Sequence, residues 1–523
     1  MRQRIIRIFV FLALLLPSAQ FAWRNRDMPE FAYLHDDGIL FASGKSLASQ
    51  NGYRLPSLPE NAFETKSPPL YPLFLSLIWR LNPNFPENLP LATLLSWLVL
   101  VAFLALAWTL YRADGYPETK AWLLTGLLGL SPYIVLFGCT MFSEVFFTCL
   151  VLACLLLARR PGNTAILLAG VMAAAAYLSR TAGIALLISV PALLLWTRQW
   201  RRTGLFLAPL LPAVAGWALW GALHKPAPSD LTLMYYTDYL RYEFVNVGWD
   251  NLAMVVWKNL DQLIYGMGSL VLPKVLDLPL AKILAQVIAV AMIAGVVRLV
   301  RRRVALDYAL FALVSVGILL VWHFPPNERF VLPIFPLLLA GLFAEAEHLG
   351  AMLRPAFRHR DLSQRIVGRL FAAAVAAVFL AALGLQCYMT FVLLSDTAAE
   401  QRRHLADRRS AYRWMAANLP PKAAVLSYDD PLLYLYSGHR GNYLPLLTRW
   451  WYAEDHLSIV NAYRDLAAYC AERHLTYVYF TTEDLSRETG EKDRAAIEQL
   501  VRTSPALTPI YAAGIGTVYR LAP

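Results

Sequence analysis

Two neighbouring carboxylates, Asp36 and Asp37, stand in the stretch HDDGILFASGKSLAS, and Lys66 follows in KSPPLYPLFL, ahead of Pro68 and Pro69. A carboxylate at such a place can act as a general base, taking the proton of a hydroxyl or amine as that group attacks an electrophilic carbon. A lysine held at headgroup depth meets a phosphate as a point charge. The two prolines fix the backbone behind Lys66 and suit the start of a helix. His35, directly before Asp36, is a candidate proton relay within the same substrate site. Plainer readings compete. Asp-Asp-Gly is a common turn or N-cap sequence, and a single lysine beside a membrane can simply snorkel to the surface.

Three further charges interrupt apolar sequence: Glu144 in FSEVFF, Arg180 in LSRTAG and Arg329 in NERFVLPIFP. Arginine is suited to bidentate phosphate binding. Glu144 is either a member of a substrate site or the structural partner of Arg180 or Arg329, because charges inside membrane segments pair. His323 is expected at a wet membrane interface. No metal or cofactor is required by this set, since cationic side chains can stabilise a developing negative charge. The five cysteines are Cys139, Cys149, Cys154, Cys387 and Cys470, with no CxxC pair. The polar C-terminal region holds only Cys470, which excludes a disulfide within it and argues against a cysteine zinc site.

The elements that must position these residues are mostly membrane spans. The chain has 523 residues, 58% of them hydrophobic and only 16% charged, against roughly 25% charged in soluble domains. Apolar runs long enough to cross a bilayer recur, and spans of this kind are helices because lipid satisfies no backbone polar group. Eleven are expected, at 8–23, 91–111, 121–137, 142–157, 165–178, 184–196, 205–223, 280–297, 308–322, 330–343 and 370–394. The first reads as a retained signal anchor, with cleavage after about residue 20 as the alternative. Within the polar loop 33–90, the apolar stretch 70–81 is too short to span and reads as an interfacial or re-entrant helix. Arginine clusters at 159–160, 198–202, 298–303 and 354–369 all fall on one side if the N-terminus is cytoplasmic, as the positive-inside rule requires. The loops carrying Asp36, His224 and His323 then lie outside. The net charge of +11 is absorbed by these clusters, so nucleic-acid binding is not expected.

The fold class is therefore a mainly α, polytopic membrane protein, with a membrane domain over 1–394 and a small extracytoplasmic α/β domain over 395–523. In the latter, 409–418, 453–474 and 494–502 read as helices. Residues 423–427 and 476–481 read as strands, 508–521 as two strands, and Asp429-Asp430-Pro431 as a turn. No Walker loop, dinucleotide fingerprint or serine nucleophile elbow is present.

In order and placement, HDDGILFASGKSLAS, KSPPLYPLFL, FSEVFF, LSRTAG and ERFVLPIFP resemble the motifs of the GT-C membrane glycosyltransferases. The resemblance covers about residues 1–394. Within that superfamily it is greatest to the protein O-mannosyltransferase and lipid A aminoarabinose transferase group. It implies an inverting transfer of a sugar from a polyprenyl-phosphate carrier to an extracytoplasmic lipid, glycan or protein acceptor, in a bacterial inner membrane. It assigns the catalytic carboxylate to Asp36, with Asp37 beside it, and the contact to the lipid phosphate to Lys66. The chain has Asp-Asp where many members have Asp-Glu, and Lys-Ser-Pro-Pro where the aminoarabinose transferases have Lys-Pro-Pro. The rival reading is a transporter or lipid-linked sugar flippase. Transporters place charges and broken helices near the bilayer midplane, often in two repeated halves; here the polar residues gather at one face and the halves do not match.

Overall fold

The computed structural model describes residues 2–32, 35–227, 230–275, 278–358, 362–486 and 489–522. Residues 33 and 34, where the expected polar loop begins, and Arg360 of the 354–369 cluster lie outside the described residues. The chain divides into two compact units, each assembled from three separate segments.

The first unit comprises Met1–Asn25, Thr93–Ala215 and Val256–Asp396, and its described residues are helical almost throughout. Each of the eleven expected spans coincides with a helix or a bent helix pair. By length and composition six of the described helices can cross a membrane, or seven if the pair Glu118–Leu130 and Pro132–Cys139, bent by 64°, counts as one. Ser143–Ala158, Asn163–Ser179, Thr181–Trp196 and Leu306–Val321 are apolar but shorter than 18 residues. With no hydrophobic drive between helices inside lipid, close packing has to come from small residues. It does so where the Pro279–Arg301 helix crosses Phe335–Arg358. A methyl group built on Gly295 would overlap the Gly341 carbonyl, and one on Gly341 would lie 2.5 Å from the Met292 carbonyl oxygen. His323 departs from expectation. It is completely buried, with Nδ1 2.9 Å from the Val321 carbonyl oxygen, because it folds back on the end of the Leu306–Val321 helix.

The second unit comprises Arg26–Ala92, Gly216–Val255 and Thr397–Pro523. It is built on a five-stranded sheet: β1 (Ala424–Ser427), β2 (Arg440–Asn442), β3 (Tyr477–Thr481), β4 (Leu507–Ala513) and β5 (Gly516–Leu521), in the order β2-β1-β3-β5-β4. Strand β1 pairs in parallel with β2 and β3, while β5 runs antiparallel to both β3 and β4. Leu426, Val478 and Tyr519 pack with Ile459, Leu466, Cys470, Ile497 and Val501 from the helices His456–Arg464, Leu466–Glu472 and Glu491–Thr503. The single helix expected over 453–474 is broken. Glu454 adopts φ +55°, and Asp455 caps a new helix by accepting from the Ser458 amide at 3.0 Å. Strand β2 is an element that the periodicity of the sequence did not disclose.

The expected loop 33–90 contains two helices, Asp36–Ala48 and Leu70–Leu81. The second has the bounds read from its apolar run. The first replaces the turn that Asp-Asp-Gly suggested, and it gains from two acids in the first turn of a helix, where the macrodipole favours negative charge. This segment joins the sheet edge, since the Gly441 amide of β2 donates to the Ser57 carbonyl at 2.8 Å.

Replacing Gly295 by valine is expected to cost at least about 1–3 kcal/mol through overpacking. Thermal unfolding in detergent checks this, with Gly317→Ala as the control, because nothing lies within 4 Å of a methyl group there.

Candidate functional site

The Asp36–Ala48 helix gives its two leading acids opposite surroundings. Asp36 keeps 37% of its side chain exposed, whereas Asp37 is 1% exposed and accepts a hydrogen bond from the Ala32 amide at 3.0 Å. Asp36 is the carboxylate an incoming molecule can reach; Asp37 ties the chain entering the helix to the helix itself.

Lys66 is brought to Asp36 by the fold of its own segment. Glu64 Oε1 accepts from the amides of Lys66 and Ser67 at 2.7 and 2.8 Å. The Tyr53 hydroxyl donates to the Ser67 carbonyl at 2.7 Å, and Thr65 Oγ1 donates to the Thr237 carbonyl at 2.7 Å. The Lys66 ammonium then lies 3.9 Å from Asp36 Oδ1. It also lies 4.7 Å from the ring centroid of Tyr235 and 4.2 Å from that of Tyr239. The aromatic faces attract a cation through their quadrupoles, so the ammonium is held by one ion pair and two rings.

Those rings belong to two short helices, Leu231–Thr237 and Tyr239–Val247, capped by the Asp230 and Asp238 side chains. The second also carries Glu243, buried, whose carboxyl burial pushes up to about 7 while bonds from Thr448 and Tyr239 and the charge of Lys66 oppose the rise. Glu64, fully buried, is likewise raised to about 7 by desolvation, against its bonds from Ser67 and Lys66 and the Lys66 charge. His35 completes the group: its Nε2 lies 2.6 Å from Asp430 Oδ1 and its Nδ1 lies 3.5 Å from the Tyr235 hydroxyl.

Glu144, Arg180 and Arg329 come together in the membrane unit. Arg180 Nη1 donates to Glu144 Oε1 at 2.6 Å and to Ser143 Oγ at 2.9 Å. Arg329 Nε donates to the same carboxylate oxygen, and its guanidinium lies 4.7 Å from the Phe142 ring centroid. One buried carboxylate faces two guanidinium groups. Glu144 is thus the partner of both arginines.

Of the residues that the sequence marked, Asp36, Asp37, Lys66 and His35 come together, and Glu64, Tyr235, Tyr239, Glu243 and Asp430, which it did not mark, stand beside them. The run YYTDYLRYE over 235–243 was the available signal, since tyrosines at helical spacing beside acids form a polar aromatic face. Among the described residues no group of three or more His, Cys, Asp or Glu side chains converges as a metal site.

No protein-family model matches the chain, and no curated protein sequence matches it. Solved structures do. ArnT from Cupriavidus metallidurans in the apo state aligns at 13% identity and TM-score 0.52, covering 92% of this chain and 93% of that one. The same protein bound to undecaprenyl phosphate aligns at 14% identity and TM-score 0.53, with the same coverage. The apo oligosaccharyltransferase of Archaeoglobus fulgidus aligns at 13% identity and TM-score 0.53, covering 98% of this chain and 74% of that one.

The Glu64→Gln variant tests the raised carboxyl. A group whose pKa rises on folding stabilises the protein fully below its unfolded value and loses that contribution as pH climbs through the folded one. The window here runs from the ordinary glutamate value, 4.5, to about 7. Wild type is expected to lose stability relative to Glu64→Gln across it, by about 1.4 kcal/mol for each pH unit crossed. Unfolding midpoints between pH 4.5 and 8 check this. The Asp36–Lys66 arrangement rests on a scaffold identified by these alignments: the chain has the fold of the GT-C membrane glycosyltransferases.

Proposed function

We propose that this protein is an inverting membrane glycosyltransferase that moves a sugar from a polyprenyl-phosphate carrier to an extracytoplasmic acceptor. The observation that carries the reading is the half-exposed Asp36 carboxylate set 3.9 Å from the Lys66 ammonium. The reading takes this carboxylate as the base and this ammonium as the partner of the carrier phosphate. An acceptor hydroxyl or amine attacks the anomeric carbon and Asp36 takes its proton. The bond from that carbon to the phosphate oxygen breaks, and its electron pair stays on the carrier phosphate. Lys66 neutralises the charge that grows there, and preorganised cations of this kind are a main source of transition-state stabilisation. The ArnT structure with undecaprenyl phosphate supports a carrier of the same chemical class. So does the archaeal oligosaccharyltransferase solved with an inhibitory peptide and a dolichol-phosphate, at TM-score 0.50.

Asp37 and Glu64 position the pair. Arg180 and Arg329, which share Glu144, are a further place for an anionic carrier group. The protein lies in a bacterial inner membrane with its N-terminus in the cytoplasm, and residues 33–90 and 395–523 lie outside.

In membranes supplied with labelled polyprenyl-phosphate sugars, Asp36→Asn is expected to lower the release of label from the lipid fraction by roughly 10²–10⁴-fold. Its donor binding should stay near wild type. Lys66→Ala is expected to weaken donor binding and transfer together. Equal transfer by Asp36→Asn and wild type, at equal insertion, sinks the assignment of the base.

A further inference from the structure

Each transfer leaves a proton on Asp36, and that proton must depart before the next acceptor arrives. Lys66, when charged, has no lone pair to receive it. The neighbouring side chain that offers a basic ring nitrogen is His35, and its setting is unusual in three respects.

First, Nε2 of His35 lies 2.6 Å from Oδ1 of Asp430, a side chain with no exposure at all. The Tyr236 hydroxyl donates to the same oxygen at 2.6 Å, while Asp430 Oδ2 is buried and has no hydrogen-bond partner among the described residues. An ionised carboxylate only accepts, so Nε2 carries the hydrogen and Nδ1 is the basic nitrogen. Second, Nδ1 faces the Tyr235 hydroxyl at 3.5 Å, and the ring of that tyrosine bears the Lys66 ammonium. Third, His35 has φ +66°, a left-handed conformation in which a non-glycine residue stays only when its surroundings hold it. The close fit that permits this is at Gly38. A methyl group there would sit 3.0 Å from Cβ of Pro431 and 3.0 Å from Cβ of Ala32, so the absent side chain lets the Asp36–Ala48 helix approach the Asp430–Ser437 helix.

We propose that Asp430 is a positioning residue for His35, and that the imidazole it holds takes the proton from Asp36 after each transfer and passes it to water. The inference rests on Asp36 being the base. The proton moves from the Asp36 carboxyl oxygen to His35 Nδ1 and then to solvent, which restores the carboxylate and the neutral ring; Asp430 stays ionised and stabilises the imidazolium, as the orienting carboxylate of a catalytic triad does. Through Asp430, the region after β1 supplies part of the site.

The groups facing His35 are Asp430, Tyr235, Tyr236 and Tyr443, with ring centroids of the three tyrosines 5.6–6.2 Å away. Asp36 and Asp37 follow it in the chain. Lys66 lies behind Tyr235, and Arg408 pairs with Asp429 at 2.8 Å beside Asp430.

The test uses the full-length protein in lipid nanodiscs and a labelled undecaprenyl-phosphate sugar that wild type turns over. Asp430→Asn is expected to lower kcat by roughly 10²-fold, to leave the donor KM within about twofold, and to move the acid limb of the kcat profile about one unit to lower pH as the carboxylate charge is lost. His35→Gln is expected to lower kcat to the same extent, and added imidazole is expected to restore part of the rate of His35→Ala. Since a buried substitution can disturb folding, the His35 ring nitrogens are also titrated by NMR without donor. Their midpoint should fall by about one pH unit in Asp430→Asn. An unmoved midpoint, an unmoved acid limb or wild-type kcat in His35→Gln overturns the relay. Asp36→Asn run in parallel separates the two ideas. Full transfer by that variant overturns the base assignment itself, whereas its loss alongside a wild-type profile for Asp430→Asn overturns the relay alone.

Discussion

The half-buried ammonium of Lys66 is the constraint on which the rest of the second unit depends. A charge drawn out of water is costly unless it is paired, and this one is 16% exposed. Its partners come from distant segments: Asp36 from the first helix after residue 35, Tyr235 and Tyr239 from two short helices some 170 residues later. The backbone beneath it is fixed just as firmly. Glu64 takes its amide, Tyr53 takes the next carbonyl, and the Trp220 indole donates to the Glu64 carbonyl at 2.9 Å. A lysine so held loses little freedom on meeting a phosphate, which is the advantage of preorganisation in binding.

The adjacent acids Asp429 and Asp430 serve two directions. Asp429 accepts from Arg408 at 2.8 Å, from the Tyr412 hydroxyl at 2.5 Å and from Ser427 at 2.8 Å, and so fastens the Leu394–Asn418 helix to the ends of the parallel strands. Asp430, one residue on, points to His35 and Tyr236. The same junction contains Asp484, raised to about 7 by burial against the pull of Arg408. Buried charges in such a network contribute little net stability when complete but are costly to leave half-paired. The sheet and the Asp36 segment are therefore fastened at neighbouring residues of one strand-to-helix connection.

The membrane unit follows a different physics. Its helices approach where glycine removes the side chain, as at Gly295 and Gly341, and several of its charges are paired within protein. Arg159 bridges Asp114 and Asp307 at 2.7 Å each, and Glu144 serves both Arg180 and Arg329. A lone ion among apolar helices is strongly disfavoured, which is why these acids have basic partners.

The sequence by itself determined the class of the molecule, because apolar runs of spanning length and arginine clusters on alternate loops admit few architectures. It also marked Asp36, Asp37, Lys66 and His35, since acids and a lysine beside Pro-Pro in an otherwise apolar chain are chemically conspicuous. It located helix 70–81 and four of the five strands, where local periodicity is strong. Only the tertiary structure decided that Asp36 stays open while Asp37 is buried, for both occupy one helical turn and differ in what packs on them. It alone decided that Asp430, nearly four hundred residues away, meets His35, and that Tyr235 and Tyr239 enclose Lys66. Pairings at such separation depend on how whole elements pack, and one chain's local residue pattern does not contain that information.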